Sequence, residues 1–159
     1  YWRERYEGIP ENNDRYLREI RLARASDTFH VIPPDKGDAI KAQSIYKELQ
    51  KSGVGKQAYE YIISNKVWVT VKYEREIDPS VRGYSFGNMI TVFANNTKTV
   101  RRTTETIIHE ANHLMLATDK VTQWEEAYCY AQELKHSKKQ LTYSDLKRII
   151  KHIKAEYPE

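Results

Sequence analysis

TETIIHEANHLMLA, residues 104–117, decides how the rest of the chain is read. Ile107, Ile108, Ala111, Leu114 and Met115 recur at helical spacing, so the stretch predicts a core helix, capped by Thr103 or Thr104 and ending over Ala117 to Asp119. Into that helix are set His109, Glu110 and His113. Polar groups among Ile and Leu are costly to bury unless something satisfies them. Residues four apart lie one turn up on nearly the same face, so the two imidazoles point the same way, close enough to share one cation. Glu110 sits one residue round the helix, where it can reach a water on that cation without ligating it.

Two histidines are not sufficient, because catalytic zinc normally takes three protein ligands and a water. Asp119, Glu125, Glu126, Glu133 and His136 follow within reach. TQWEEAYCYAQELKH, residues 122–136, predicts a second helix whose Thr122 and Glu125 have the spacing of a capping box. If LATDKV, residues 116–121, folds the two helices into an antiparallel pair about a midpoint near residues 119 and 120, His113 faces residue 126. Glu133 is then displaced along the helix by roughly 10 Å, beyond the level of His109. Glu126 is the favoured third ligand. Glu125, which the capping box would occupy, and Glu133 are the alternatives.

Upstream the period changes. KVWVTVKY (66–73) alternates Val67, Val69 and Val71 with Trp68, Thr70 and Lys72, and NMITVFAN (88–95) sets Ile90 and Val92 against Met89, Thr91 and Phe93. Both patterns have the period of two expected of strands. Pro79, Gly83 and Gly87 between them mark a loop or hairpin. Residues 1–65 carry a helical rhythm in Tyr16, Leu17, Ile20 and Ala23 and again in Ile40, Ile45 and Leu49, broken by HVIPPDKGD (30–38), with a third helix expected from about Lys56 to Ser64. SDLKRIIKHIKAEY (144–157) predicts a last amphipathic helix capped by Ser144. The expectation is one α+β domain over residues 1–159: a helical part (1–65), then a small, largely antiparallel or mixed sheet, then a metal-ligating helix packed against a glutamate-bearing one.

Composition narrows the function classes. The chain has 159 residues, with 26 Lys and Arg against 22 Asp and Glu. The net charge of +4 is spread through mixed stretches such as YWRERYEGIPENNDRYLREIRLAR (1–24), which fits a solvated helix face better than a nucleic-acid patch. Cys129 is the only cysteine, so no intramolecular disulfide forms, and its place between Tyr128 and Tyr130 predicts a small buried residue rather than a nucleophile. No apolar run is long enough to span a bilayer and no signal-peptide pattern opens the chain, while a start at Tyr1 without Met suggests a piece of something longer. The sequon at Asn95-Asn96-Thr97 is taken as accidental.

HEANH (109–113) followed by WEEAYCYAQEL (124–134) resembles the gluzincin branch of HExxH metallopeptidases, in which a second helix gives a glutamate to zinc, often before a small residue and near an aromatic. Here Glu126 precedes Ala127, and Trp124 stands two before it. The compact layout also resembles the minimal peptidase domains of bacterial effectors and polymorphic toxins and the short peptidases that cut phage-type repressors. The likeness covers about residues 66–135; the gap from His113 to Glu126 is shorter than in the large gluzincins, which bears on the third ligand. It implies Zn2+ on His109, His113 and Glu126, Glu110 as general base, a protein or peptide substrate, and an immunity or inhibitor protein as partner, with secretion or delivery into a target cell. It also implies a substrate-pairing edge strand, for which MITVFAN (89–95) is the candidate, and an oxyanion donor among Tyr128, Tyr130, His136, Tyr143 and His152. Two other classes stay open: an inactive binding module on a peptidase scaffold, and a basic nucleic-acid-directed toxin domain.

Overall fold

A computed structural model describes residues 10–33, 40–74 and 77–158. The first nine residues of the mixed-charge run, residues 34–38 of the proline-containing break and Ala39 after it lie outside the described residues. The fold is α+β, as expected. Helices α1 (Pro10–Ala23) and α2 (Ala25–Thr28) lead into strand β1 (Phe29–Ile32); α3 (Ala42–Leu49) and α4 (Gly53–Ser64) follow. Strands β2 (Trp68–Lys72), β3 (Gly83–Phe86) and β4 (Met89–Phe93) come next, then the short α5 (Ala94–Thr97) and three longer helices, α6 (Val100–Leu116), α7 (Gln123–Leu134) and α8 (Tyr143–Glu156).

The four strands form a mixed sheet in the order β1-β2-β4-β3, parallel across the first three and antiparallel between β4 and β3. Two of these strands differ from the expectation. FHVI at β1 lies in the part expected to be helical; four residues running into Pro33 are too few to establish a period, and Pro33 has no N–H to carry the ladder on. β3 was expected to be part of a connection, yet Gly87, at φ 61, makes a two-residue turn with Asn88 that folds β3 back on β4.

One face of the sheet holds Val69, Val71, Ile90 and Val92, all fully buried, against Ile107, Ile108 and Ala111 of α6. Burying each of these larger side chains contributes about 1.5–3 kcal/mol. α3 and α4 close the other side of α6 with Ile45, Leu49 and Ile62. The helix is thus embedded on most of its circumference, and its polar face is left to α7 and β3. At Gly83 a Cβ would meet the Thr91 carbonyl oxygen at 2.5 Å and the Thr106 methyl at 3.0 Å, so β3 lies as close over α6 as a glycine permits. Among the described residues no helix is long and apolar enough to cross a membrane.

Candidate metal centre

α6 begins four to five residues earlier than expected. Thr99 is the cap, its hydroxyl accepting from the Arg102 N–H, while Thr103 and Thr104 are wholly buried inside the helix, where Thr103 shares a 2.7 Å hydrogen bond with Thr97. The C-terminal end matches, with Ala117 in the left-handed conformation at φ 49. α8 shows a comparable shift. Thr142 rather than Ser144 is its cap, in a reciprocal capping box with Asp145.

The turn over residues 117–122 folds α7 antiparallel on α6, and Glu126 arrives opposite His113 as the midpoint argument requires. Glu126 Oε1 lies 2.8 Å from His113 Nε2, and Oε2 lies 3.3 Å from His109 Nε2. The two Nε2 atoms are 3.2 Å apart. One donor atom from each of the three residues falls within 4.8 Å of the others. All three side chains are at least nine-tenths buried.

The backs of the imidazoles are occupied. His113 Nδ1 is 2.7 Å from Glu125 Oε2, and His109 Nδ1 is 2.9 Å from Glu133 Oε1. Both observations correct the sequence reading. The Glu125 backbone N–H does donate to Thr122, but its carboxylate turns to His113 and to the Thr118 hydroxyl, because a bond to a chargeable imidazole is stronger than one to a backbone amide. Glu133 is two helical turns past Glu126 but not out of range, since the Nδ1 side of His109 faces away from the convergence point and toward it. Neither Glu125 nor Glu133 joins the converging set. Each takes the Nδ1 side of a ring and leaves its Nε2 turned to Glu126, the arrangement that orients metal-ligating histidines.

With both Nδ1 atoms donating to carboxylates, the two Nε2 atoms and the Glu126 carboxylate face one another across the space a cation would fill, and Glu126 Oε2 is buried without a hydrogen bond of ordinary geometry. Burial works to lower the His109 pKa, yet its contacts with Glu126 and Glu133 win and push it up to about 9. Glu126 is held down at about 2, its burial outweighed by the two histidines. The pocket therefore draws positive charge, and a two-nitrogen, one-carboxylate set suits zinc.

Glu110 lies beside this set without joining it. It is buried, and that burial raises its pKa above the usual carboxylate range against the opposing effects of His109, His113 and Ser85 of β3. It opens onto two cavities, one of about 760 Å³ bounded by β3 and one of about 410 Å³ bounded by Arg82, Tyr130, His152 and Tyr157. The strand along the cleft is β3. β4, the expected edge strand, is interior, with β2 on one side and β3 on the other.

The five oxyanion candidates separate. Tyr128 and Tyr143 are exposed, and His136 is buried elsewhere, between Ser52 and Glu48. Tyr130 stands edge-on to the His109 ring at 4.4 Å, with His152 against its own ring at 5.1 Å. Tyr157, not foreseen, puts its hydroxyl 3.4 Å from that of Tyr130 and borders both cavities containing Glu110. Arg82, also not foreseen, gives both guanidinium nitrogens to Glu133 at 3.0 and 3.1 Å. Nothing local in the sequence marks either residue. Cys129 is fully buried and its thiol pKa is pushed up by burial and by four surrounding glutamates, so it is inert as expected. Compared with known proteins, the chain matches no family model, no curated protein and no solved structure.

Proposed function

We propose that this chain is a zinc-dependent peptidase, with His109, His113 and Glu126 as ligands and Glu110 as general base. The observation that carries the reading is the convergence of two imidazole Nε2 atoms and one buried carboxylate, each imidazole backed by a further carboxylate, with a fourth carboxylate, Glu110, alongside. Zinc held there supplies Lewis acidity toward water and toward a peptide carbonyl. Glu110, raised in pKa and facing the cleft, takes a proton from the attacking water and delivers it to the leaving amine. β3, the edge strand, offers its outer main-chain groups to an extended peptide. Tyr157, Tyr130 and His152 surround the remaining side of the cleft as donors to the developing oxyanion.

The likeness of the compact layout, strands before the metal-ligating helix and a short connection after it, to effector and polymorphic-toxin peptidase domains supports a protein substrate in a target cell and an immunity or inhibitor protein as partner. Metal analysis of the purified chain beside Glu110→Gln, followed by peptide cleavage profiling of both, tests the core of the reading. Equal zinc in both proteins with cleavage lost only in the variant is expected. Cleavage retained by the variant, or no stoichiometric metal in either, overturns it.

A further inference from the structure

A cavity of about 500 Å³ adjoins the metal centre, sharing Ser80, Arg82, Tyr130 and His152 with the cavity onto which Glu110 opens. The charged groups lining it are unequally matched. Arg82 is taken up by both oxygens of Glu133. Asp145 is taken up by Lys138, Arg148 and the Thr142 backbone and hydroxyl. Glu105 has no such partner. Its side chain is 9% exposed, its carboxylate makes no hydrogen bond among the described residues, and the nearest cation, Arg102 Nη1, stands 4.0 Å off on a side chain that is half in solvent. A carboxylate desolvated to this degree without a donor is costly. Burial and the neighbouring Glu133 raise its pKa against the opposing effects of Arg102, Arg101 and Arg82. Glu105 lies one helical turn before His109, so the cavity and the metal centre share a face of α6.

We propose that this cavity binds a basic side chain, the ammonium of a lysine or the guanidinium of an arginine, with Glu105 as its counter-charge. The proposal names the substrate class of the peptidase site and rests on that reading for its link to cleavage. Leu134, Ile149 and the Tyr130 ring supply apolar wall for a methylene stem, while the head meets Glu105, which unlike Glu133 and Asp145 of the same lining has no hydrogen-bond donor. Of the cations at the cavity, Arg82 is paired with Glu133 and Arg148 with Asp145, and Arg102 is the one a guest would have to displace.

The test uses the metal-free full chain and three probes: the N-acetyl methylamides of lysine, norleucine and glutamate, titrated by calorimetry. The lysine probe is expected to bind at least 10-fold tighter than norleucine, Glu105→Gln to abolish that difference at an unchanged melting temperature, and Arg102→Ala, which removes the competing cation, to strengthen lysine binding. Equal binding of lysine and norleucine, or tighter binding of the glutamate probe, overturns the proposal, as does weaker lysine binding by Arg102→Ala. In a second arm, the zinc-loaded chain is given peptides differing only in Lys, norleucine or Glu beside the scissile bond, and at least a 10-fold preference for Lys that Glu105→Gln removes is expected. Cleavage indifferent to charge overturns the pocket and leaves the peptidase reading intact; lysine-probe binding without any cleavage does the reverse.

Discussion

Among the described residues, two clusters bring histidine and glutamate together, and they are built to different ends. At the junction of α7 with α3 and α4, His136 sits with Nδ1 at 2.6 Å from the Ser52 hydroxyl and Nε2 at 2.6 Å from Glu48 Oε2. Every nitrogen has a partner; the cluster ties the end of the glutamate-bearing helix to the N-terminal helices and asks for nothing more. At the candidate metal centre, each histidine gives Nδ1 to a carboxylate of its own and turns Nε2 to the one carboxylate they share, Glu126. Histidine and glutamate meet in both places. The convergence of two rings on a single carboxylate separates the candidate site from a brace.

That contrast can be broken in several places. Stripping the metal with a chelator should abolish peptide cleavage, and adding zinc back should restore it and raise the melting temperature, since a ligand that binds only the folded chain stabilises it. Glu110→Gln should lower kcat about 10²- to 10⁴-fold, the usual worth of a general base, with metal content unchanged by elemental analysis. Glu125→Gln and Glu133→Gln, which meet the histidines only at the backs of the rings, should each weaken zinc binding about 10- to 100-fold in competition with a fluorescent chelator. His136→Ala should do the opposite: a loss of about 1–3 kcal/mol in urea unfolding, because Glu48 and Ser52 lose a buried partner, with zinc affinity untouched. A variant at His136 that lost zinc while its stability held would erase the distinction between the clusters.

Much of this was legible in the chain, and the limit of legibility is instructive. Groups on one helix were readable because 3.6 residues per turn fixes where His109, Glu110 and His113 point. Glu126 was readable because a short turn between two helices leaves few registers. Glu125 and Glu133 were visible as residues but not as partners, since the side of an imidazole that faces them depends on ring rotation and not on spacing. Arg82 and Tyr157 enter from a loop and from the end of α8, separated from the motif by 27 and 44 residues of intervening fold, and only tertiary packing brings them in. The edge strand was misassigned for a related reason. GYSF carries less apolar weight than MITVF, and an edge strand with one solvated side is the weaker signal of the two.

Gly83 has a consequence for how narrow the cleft beside Glu110 is. Where β3 passes between Thr91 and Thr106 there is no spare room for even one methyl, and the next residues of the strand border the cleft. The gap between the cleft's wall and its floor is therefore fixed by an omitted carbon. An alanine there would have to push β3 off the Thr91 carbonyl and the Thr106 methyl, resetting the width of the cleft while His109, His113 and Glu126 stay where they are.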